Sequence, residues 1–418
     1  MPRRAETAPL RLFEGYGVEI EYALVERDTL AAAPISDRIL RDQQGRCVQD
    51  LSHGTIAWCN ELALHVIELK NELPAGTLVG LDDAFQESVR EAERRLAPLG
   101  ARLMPTAMHP FMDPARETRL WPHANALVYS TFDRIFGCRG HGWSNIQSTQ
   151  LNLPFGDDAE FARLHAAVRL LLPVLPALAA SSPIEEGRVT GLCDTRLAHY
   201  AQNCRSVPSL TGAVVPENAS SRREYERELL GRVYRDLAPL DPEGVLRYEW
   251  VNARGAIARF DRSAIEIRVV DGQEHPRADI ALAALIAGVL AQLAAERWSS
   301  SGEQRAPQTA RLAAILQATA RDAERAAIDD AGYLDLLGAR DAGVRTAGDL
   351  WRHLSAAVWP AGSPERERWG DCVTTILERG CLARRILAAA GPSPAAGRLR
   401  EVYAELCDCL VEGRAFGA

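Results

Sequence analysis

The sequence has no surplus of positive charge: 48 lysines and arginines stand against 56 aspartates and glutamates, a net charge of −8. Such a chain has no global basic field to hold a nucleic acid, so an anionic ligand has to be met by local arginines or by metal ions. Lysine is almost absent. Lys70 is the only one, and the arginine bias that replaces it carries no function by itself. No apolar run reaches the roughly 20 residues that a membrane-spanning helix needs. The most apolar stretch, Ile280 to Ala295, is Ala-rich, holds Gln292 and reads as a buried helix rather than an anchor. The leading Met-Pro-Arg-Arg-Ala-Glu-Thr is not followed by the apolar core of a secretory signal. The nine cysteines are odd in number and scattered, which fits reduced thiols of a cytoplasmic protein better than a disulfide framework. Cys407 and Cys409 form the only close pair, and with no second pair at zinc-ligand spacing no structural zinc site is expected.

What remains is ordinary globular composition, 47% hydrophobic and 25% charged over 418 residues. A length prior of roughly 100–200 residues per domain suggests two or three units. No repeat at solenoid periods is present. The texture changes once along the chain. Residues 1–275 mix strand-like and helix-like segments. Residues 276–418 are nearly all helix-like, rich in Ala, Leu and Arg, and are expected to pack on the first part as one catalytic unit.

Period-two alternation predicts strands over 12–25, 62–70, 148–153, 256–260 and 264–270, the last two forming a hairpin about Asp261-Arg262-Ser263. Amphipathic spacing predicts a helix over 82–97 capped by Asp82, and one over 158–180 that Pro173 and Pro176 should kink or shorten. Residues 181–221, rich in Ser, Gly, Pro and Asn, read as a long ordered loop. Helices are expected at about 278–298, 308–328, 346–357, 364–389 and 394–412.

The chemical signal lies in carboxylates on strands. Side chains at i and i+2 of a strand project to one face, so Glu19 and Glu21 point together. Glu68 and Lys70 do the same, whereas Glu61 has the opposite parity and joins them only through a bulge or a turn. Glu266 and Arg268 form the polar face of Ala-Ile-Glu-Ile-Arg-Val-Val-Asp, whose Ile265, Ile267 and Val269 are the apolar face. Each pattern alone is compatible with a solvated face or a surface ion pair. Together they are more specific. Five carboxylates facing one cleft cannot all stay ionised without metal ions. Oxygen donors without a Cys or His cluster select hard cations, Mg²⁺ or Mn²⁺, whose usual partners are nucleotide phosphates. An arginine beside them can stabilise a transferring phosphoryl group.

Four segments resemble, in order, glutamate–cysteine ligase family 2, a group of carboxylate–amine ligases of the glutamine synthetase-like superfamily. They are Gly-Val-Glu-Ile-Glu-Tyr (17–22), Met-His-Pro-Phe (108–111), Ser-Ser-Pro-Ile-Glu-Glu-Gly-Arg-Val-Thr-Gly (181–191) and Ile-Glu-Ile-Arg-Val-Val-Asp (265–271). The resemblance runs from about residue 15 to 290. It implies an α+β fold in which a curved, mainly antiparallel sheet forms a funnel-shaped site, with helices outside and a helical C-terminal portion. It implies Glu19, Glu21, Glu61, Glu68 and Glu266 as metal ligands and Arg268 as the residue that stabilises phosphoryl transfer. Where the family usually carries a histidine, this sequence has Gln150, whose amide oxygen can bind Mg²⁺ but brings no charge and does not titrate.

The implied reaction is ATP-dependent and Mg²⁺- or Mn²⁺-dependent, joining an amino-acid carboxylate, foremost the γ-carboxylate of glutamate, to cysteine or another amine through an acyl phosphate. Arg196 and Tyr200 are candidates to hold the acid, Arg254 and Arg259 to bind phosphates, and Lys70 and Asn152 to touch metal or substrate. The expected partners are ATP, the acid and the amine, with no nucleic acid and no membrane, and a homo-oligomer is left open. Two alternatives are a guanidino-type phosphotransferase and a diverged nucleotide or amino-acid binder without turnover.

Overall fold

A computed structural model describes residues 9–417, so the leading segment examined for a signal lies outside the described residues. Among the described residues there are ten strands: β1 Gly17–Glu26, β2 Asp50–His53, β3 Ile56–Asn60, β4 Val66–Asn71, β5 Ala101–Met104, β6 Ser148–Pro154, β7 Ile184–Glu185, β8 Arg188–Val189, β9 Ala256–Arg259 and β10 Ala264–Asp271. Eight of them form one antiparallel sheet in the order β2-β3-β4-β1-β6-β10-β9, with β5 pairing the C-terminal half of β1. β7 and β8 form a separate hairpin inside the segment that reads as a long loop, which also holds a helix at Thr195–Tyr200.

The alternation in β1 divides the sheet into two faces. Ile20, Tyr22 and Leu24 are fully buried within the main core, together with residues of the helices Leu81–Leu96, Asp158–Leu171 and Pro276–Ala294. Glu19 and Glu21 point the other way, into a cavity. The Pro276–Ala294 helix is long and apolar enough to cross a membrane, but 78% of its apolar window is buried inside the protein, where it packs as a core helix. Farther along β1, Ala23 and Val25 are covered by a smaller core built from the helices Leu382–Ala390 and Ala396–Glu412.

Several boundaries differ from the sequence reading. The first strand starts at Gly17 rather than residue 12, and the strand placed over 62–70 starts at Val66 because residues 61–65 make the β3–β4 connection. β2, β3 and β5 carry no period-two signal. β3 is buried on both faces, so its apolar run does not alternate. Asp82 is not a cap: Gly80 holds that place, in the left-handed region, and Asp82 accepts from Arg368 and, at 3.0 Å, from Trp369. The helix from 158 ends at Leu171, and Pro173 and Pro176 begin two short turns, as their missing N–H groups require. The span 364–389 is two helices, Pro364–Arg379 and Leu382–Ala390, separated at Gly380, whose φ of +89° ends the first. The helix placed at 308–328 stops at Asp322.

Candidate active site

The cavity occupies about 660 Å³ on the open face of the sheet. Antiparallel pairing gathers the acids. Glu19 stands opposite Lys70 on one side and Gln150 on the other, and Glu21 stands opposite Glu68. Glu61 follows β3 directly. Cys59 pairs with Glu68, so Glu61, two residues on and one past the end of β3, reaches the same face across the turn. That turn resolves the parity problem, since Glu61 leaves β3 into it while Glu68 lies on the neighbouring β4. Oxygens of Glu21, Glu61 and Glu68 lie within 4.8 Å of one another. Gly17 lets β6 approach, because a Cβ there would stand 3.0 Å from that of Asn152.

Few cations balance these acids. Lys70 Nζ is 3.1 Å from Asp50 and 3.4 Å from Glu68. Glu266 is clasped by Arg268 and, at 2.9 Å, by Arg259. Burial would raise the Glu266 carboxyl, but the two guanidinium groups outweigh it and hold it below its ordinary range. Toward the Glu61 side the balance reverses. Burial, reinforced by Glu21 and Glu19, raises Glu61 to about 8. Burial and then Glu61 raise Glu68 to about 7, against the pull of Lys70. Burial also raises Glu19, with Glu68 and Glu266 adding to it, and raises Glu21 against Arg196 and the Ser148 N–H. Burial disfavours the Lys70 ammonium, yet Glu68, Cys59 and Asp50 keep it charged. Buried carboxylates this close together could serve as oxygen donors to a hard divalent cation.

Gln150 Nε2 donates to Glu21 at 3.1 Å, and Asn152 Nδ2 donates to Glu19 at 3.1 Å. Gln150 lines the cavity, while Asn152 lies behind Glu19. Tyr200 and Arg196 also line it. Arg196, however, is 2% exposed and spends its guanidinium on Asp271 at 3.2 Å and the Arg268 carbonyl at 2.7 Å. Arg254 does not line the cavity. It is buried, donates to Glu217 at 2.8 Å and to the carbonyl of Ser209 at 3.0 Å, and pins the 209–217 segment to the sheet, so the phosphate contact expected of it is not available.

A β-bulge explains the placement of Asp271. The β10–β6 register passes from Ile267↔Leu151 to Val270↔Thr149, so β10 has one extra residue at 268–269. After it Asp271 stands opposite Ser148 and shares the face of Glu266, although its number has the other parity. There it accepts from the Ser181 N–H at 2.9 Å, from the Ser182 hydroxyl at 3.0 Å and from Arg196. The Ser-Ser-Pro and Val-Val-Asp segments thus meet in one buried network. Sequence reasoning missed Asp271, Arg262 and the aromatic wall of Tyr129, Phe132, Trp143 and Trp250. Only Asp271, inside a quoted motif, left a signal. Arg262, 52% exposed, is 3.8 Å from Glu19 and 4.0 Å from Asp261.

The fold is mixed α/β, with an antiparallel sheet that displays a buried acid cluster beside paired arginines. The sequence profile of glutamate–cysteine ligase family 2 matches residues 16–405, and the chain belongs to that ligase family. It is 39% identical over 274 residues to an uncharacterized protein of Archaeoglobus fulgidus, covering 66% of this chain and 73% of that one. Among solved structures it resembles a glutamate–cysteine ligase from Francisella tularensis in complex with AMP, with TM-score 0.57 and 12% identity over 95% of this chain and 88% of that one. It also resembles a bifunctional glutathione synthetase from Pasteurella multocida, with TM-score 0.60 and 13% identity over 96% of this chain but 53% of that longer one. At these identities the structural likenesses establish the fold.

Proposed function

We propose that the protein is an ATP-dependent carboxylate–amine ligase that activates an amino-acid carboxylate, foremost the γ-carboxylate of glutamate, as an acyl phosphate and transfers it to an amine. The observation that carries this reading is the convergence of Glu19, Glu21, Glu61, Glu68 and Glu266 with Arg268 in one cavity. Family membership supports the ligase class, and the AMP complex of the Francisella enzyme supports a nucleotide substrate.

In the proposed reaction a carboxylate oxygen of the acid attacks the γ-phosphorus of ATP and ADP leaves. The amine then attacks the acyl carbon, and phosphate departs with the bonding pair while the amine gives up a proton. Glu21, Glu61 and Glu68, with Glu19, Glu266 and Gln150 around them, are the residues that would hold Mg²⁺ or Mn²⁺. Their all-oxygen donor set fits such an ion, which when bound supplies positive charge against the phosphate oxygens. Arg268 is held between Glu266 and the Asn252 carbonyl, 3.4 Å away, so its fork is oriented before substrate arrives. Arg259 is fixed by Glu266 on the next strand and by Asp261 in the turn between them. Lys70 and Arg262 border the acid cluster on the β3–β4 and β9–β10 sides and are placed for phosphate oxygens. Arg196 positions the Arg268 backbone by its hydrogen bond to that carbonyl.

The test is an ADP-release screen of acid and amine pairs with ATP and Mg²⁺. Release that requires both acid and amine supports the ligase. ATP-dependent phosphorylation of a guanidino compound with no need for an acid favours a phosphotransferase. Ligand binding without turnover on any pair favours a binding protein.

A further inference from the structure

The cavity has two chemically different walls. One carries the acids and every cation that lines it. The other is aromatic and comes from three separate segments: Tyr129 and Phe132 on the helix Ala126–Phe136, Trp143 on the turn His141–Ser144, and Trp250 on the turn Glu249–Val251. Phe132 packs on Trp143 at 5.1 Å and on Trp250 at 5.9 Å between ring centroids, and Trp250 stacks on the half-exposed Tyr248 at 5.5 Å, 10° from parallel. Packed rings give a rigid face with a large apolar area.

This wall borders the reacting centre. Asn252, two residues after Trp250, offers the carbonyl that orients Arg268. Tyr129 Oη accepts from Asn60, the neighbour of Glu61, at 2.9 Å. A substrate group lying on the aromatic wall therefore sits beside both the arginine and the acid cluster. Arg262 and Lys70, suited to phosphates, belong to the wall of the acids.

Among the described residues the aromatic wall carries no cation of its own, and Arg268 at its edge is already paired with Glu266. Among the described residues that line the cavity the basic side chains are Lys70, Arg196, Arg259, Arg262 and Arg268. Arg196 commits its two terminal nitrogens to Asp271 and the Arg268 carbonyl, Arg268 is held by Glu266 at the edge of the aromatic wall, and Lys70, Arg259 and Arg262 lie among the acids. An amino acid such as cysteine would have to leave its carboxylate unpaired there, which is costly in a partly desolvated site.

Resting on the ligase reading above, we infer that the acceptor is a primary amine with an aromatic or similarly large apolar group and no acidic group, seated against Trp143, Trp250 and Phe132.

The experiment separates the inference from the reading beneath it. Hydroxylamine captures an acyl phosphate as a hydroxamate whatever the natural amine, so glutamate hydroxamate formation with ATP and Mg²⁺ reports the first half-reaction. Amide formation is then compared for 2-phenylethylamine, methylamine and cysteine. The expected kcat/KM for 2-phenylethylamine exceeds that for cysteine and for methylamine by about tenfold or more, the scale of discrimination available to an apolar pocket. Trp250→Ala is expected to lower the ratio of the 2-phenylethylamine rate to the hydroxylamine rate by about tenfold, through KM, while Trp250→Phe keeps most of it. Amide formation with cysteine equal to or better than that with 2-phenylethylamine overturns the acceptor assignment and leaves the ligase standing. So does an unchanged ratio in Trp250→Ala. If neither hydroxamate nor amide forms, the ligase reading falls and the acceptor assignment falls with it.

Discussion

Glu61, just past the end of β3, and Glu68 on β4 approach one cavity; Glu21 and Glu19 raise the Glu61 carboxyl and Glu61 raises that of Glu68, so Glu61 stands at about 8 and Glu68 at about 7, burial being the largest cause in both. In the unfolded chain both would titrate near 4.3. The metal-free folded state therefore holds more protons than the unfolded state between these values, and its stability falls as pH rises from about 4.5 through 8. Metal-free protein is expected to melt at progressively lower temperature from pH 6 to pH 9. Mg²⁺ is expected to raise the melting temperature more at pH 8.5 than at pH 6, because protons compete for the same oxygens. Thermal denaturation with and without Mg²⁺ at the two pH values checks this, and a pH-independent Mg²⁺ shift would contradict it.

The same repulsion makes the acid cluster a cost to the fold. Glu68→Gln removes one buried charge while keeping the shape, so without metal at pH 8.5 the variant is expected to melt above the wild type. Its Mg²⁺-dependent turnover is expected to fall by about a hundredfold or more, the scale of losing one preorganised electrostatic group. A variant that melts lower, or that keeps turnover in the presence of EDTA, would remove Glu68 from the proposed metal site.

Arg268→Lys keeps the charge but not the planar fork. Turnover is expected to drop by about two orders of magnitude or more, set against the roughly 10³–10⁵ that arginines contribute in other phosphoryl-transfer enzymes. ATP binding should change little, since a contact made mainly in the transition state lowers kcat more than it raises KM. If Arg268 only balances Glu266, melting temperature falls instead and kcat at a permissive temperature stays near wild type.

Asp271→Ala leaves Arg196, 2% exposed, without its carboxylate and opens the hydrogen bonds of Ser181 and Ser182. Removing one partner of a buried pair costs about 3–5 kcal/mol. Urea denaturation should show a loss of that size, and a loss under about 1 kcal/mol would mean that the network relaxes around the gap.

The division at residue 275 is expected not to be a folding boundary. The Pro276–Ala294 helix belongs to the same core as Ile20, Tyr22 and Leu24 of β1, and Arg368 and Trp369 bond to Asp82 across the molecule. A chain ended at 275 should give neither near-ultraviolet circular dichroism nor protected amides. Native-like protection in that fragment would show two independent units.

The parts of this protein written in local periodicity were open to the sequence alone. Alternation in 17–26, 148–154 and 264–267 determines that Glu19, Glu21, Gln150 and Glu266 share one polarity of face, because successive strand residues must point to opposite sides. Proline chemistry likewise foretold the break after Leu171. Tertiary structure decided the rest. Whether Glu61 joins Glu68 depended on which strands pair across the 61–65 turn, and whether Asp271 faces the acids depended on a bulge that slips β10 by one residue against β6. The fates of Arg196 and Arg254 depended on Asp271 and Glu217, distant in sequence. The aromatic wall was unreadable for the same reason: helix, turn and turn contribute one or two rings each, and no local spacing links residues 129, 143 and 250. Strand alternation is a steric property of neighbouring residues, whereas register, bulges and ion-pair choice follow from packing between distant segments, which only the folded chain resolves.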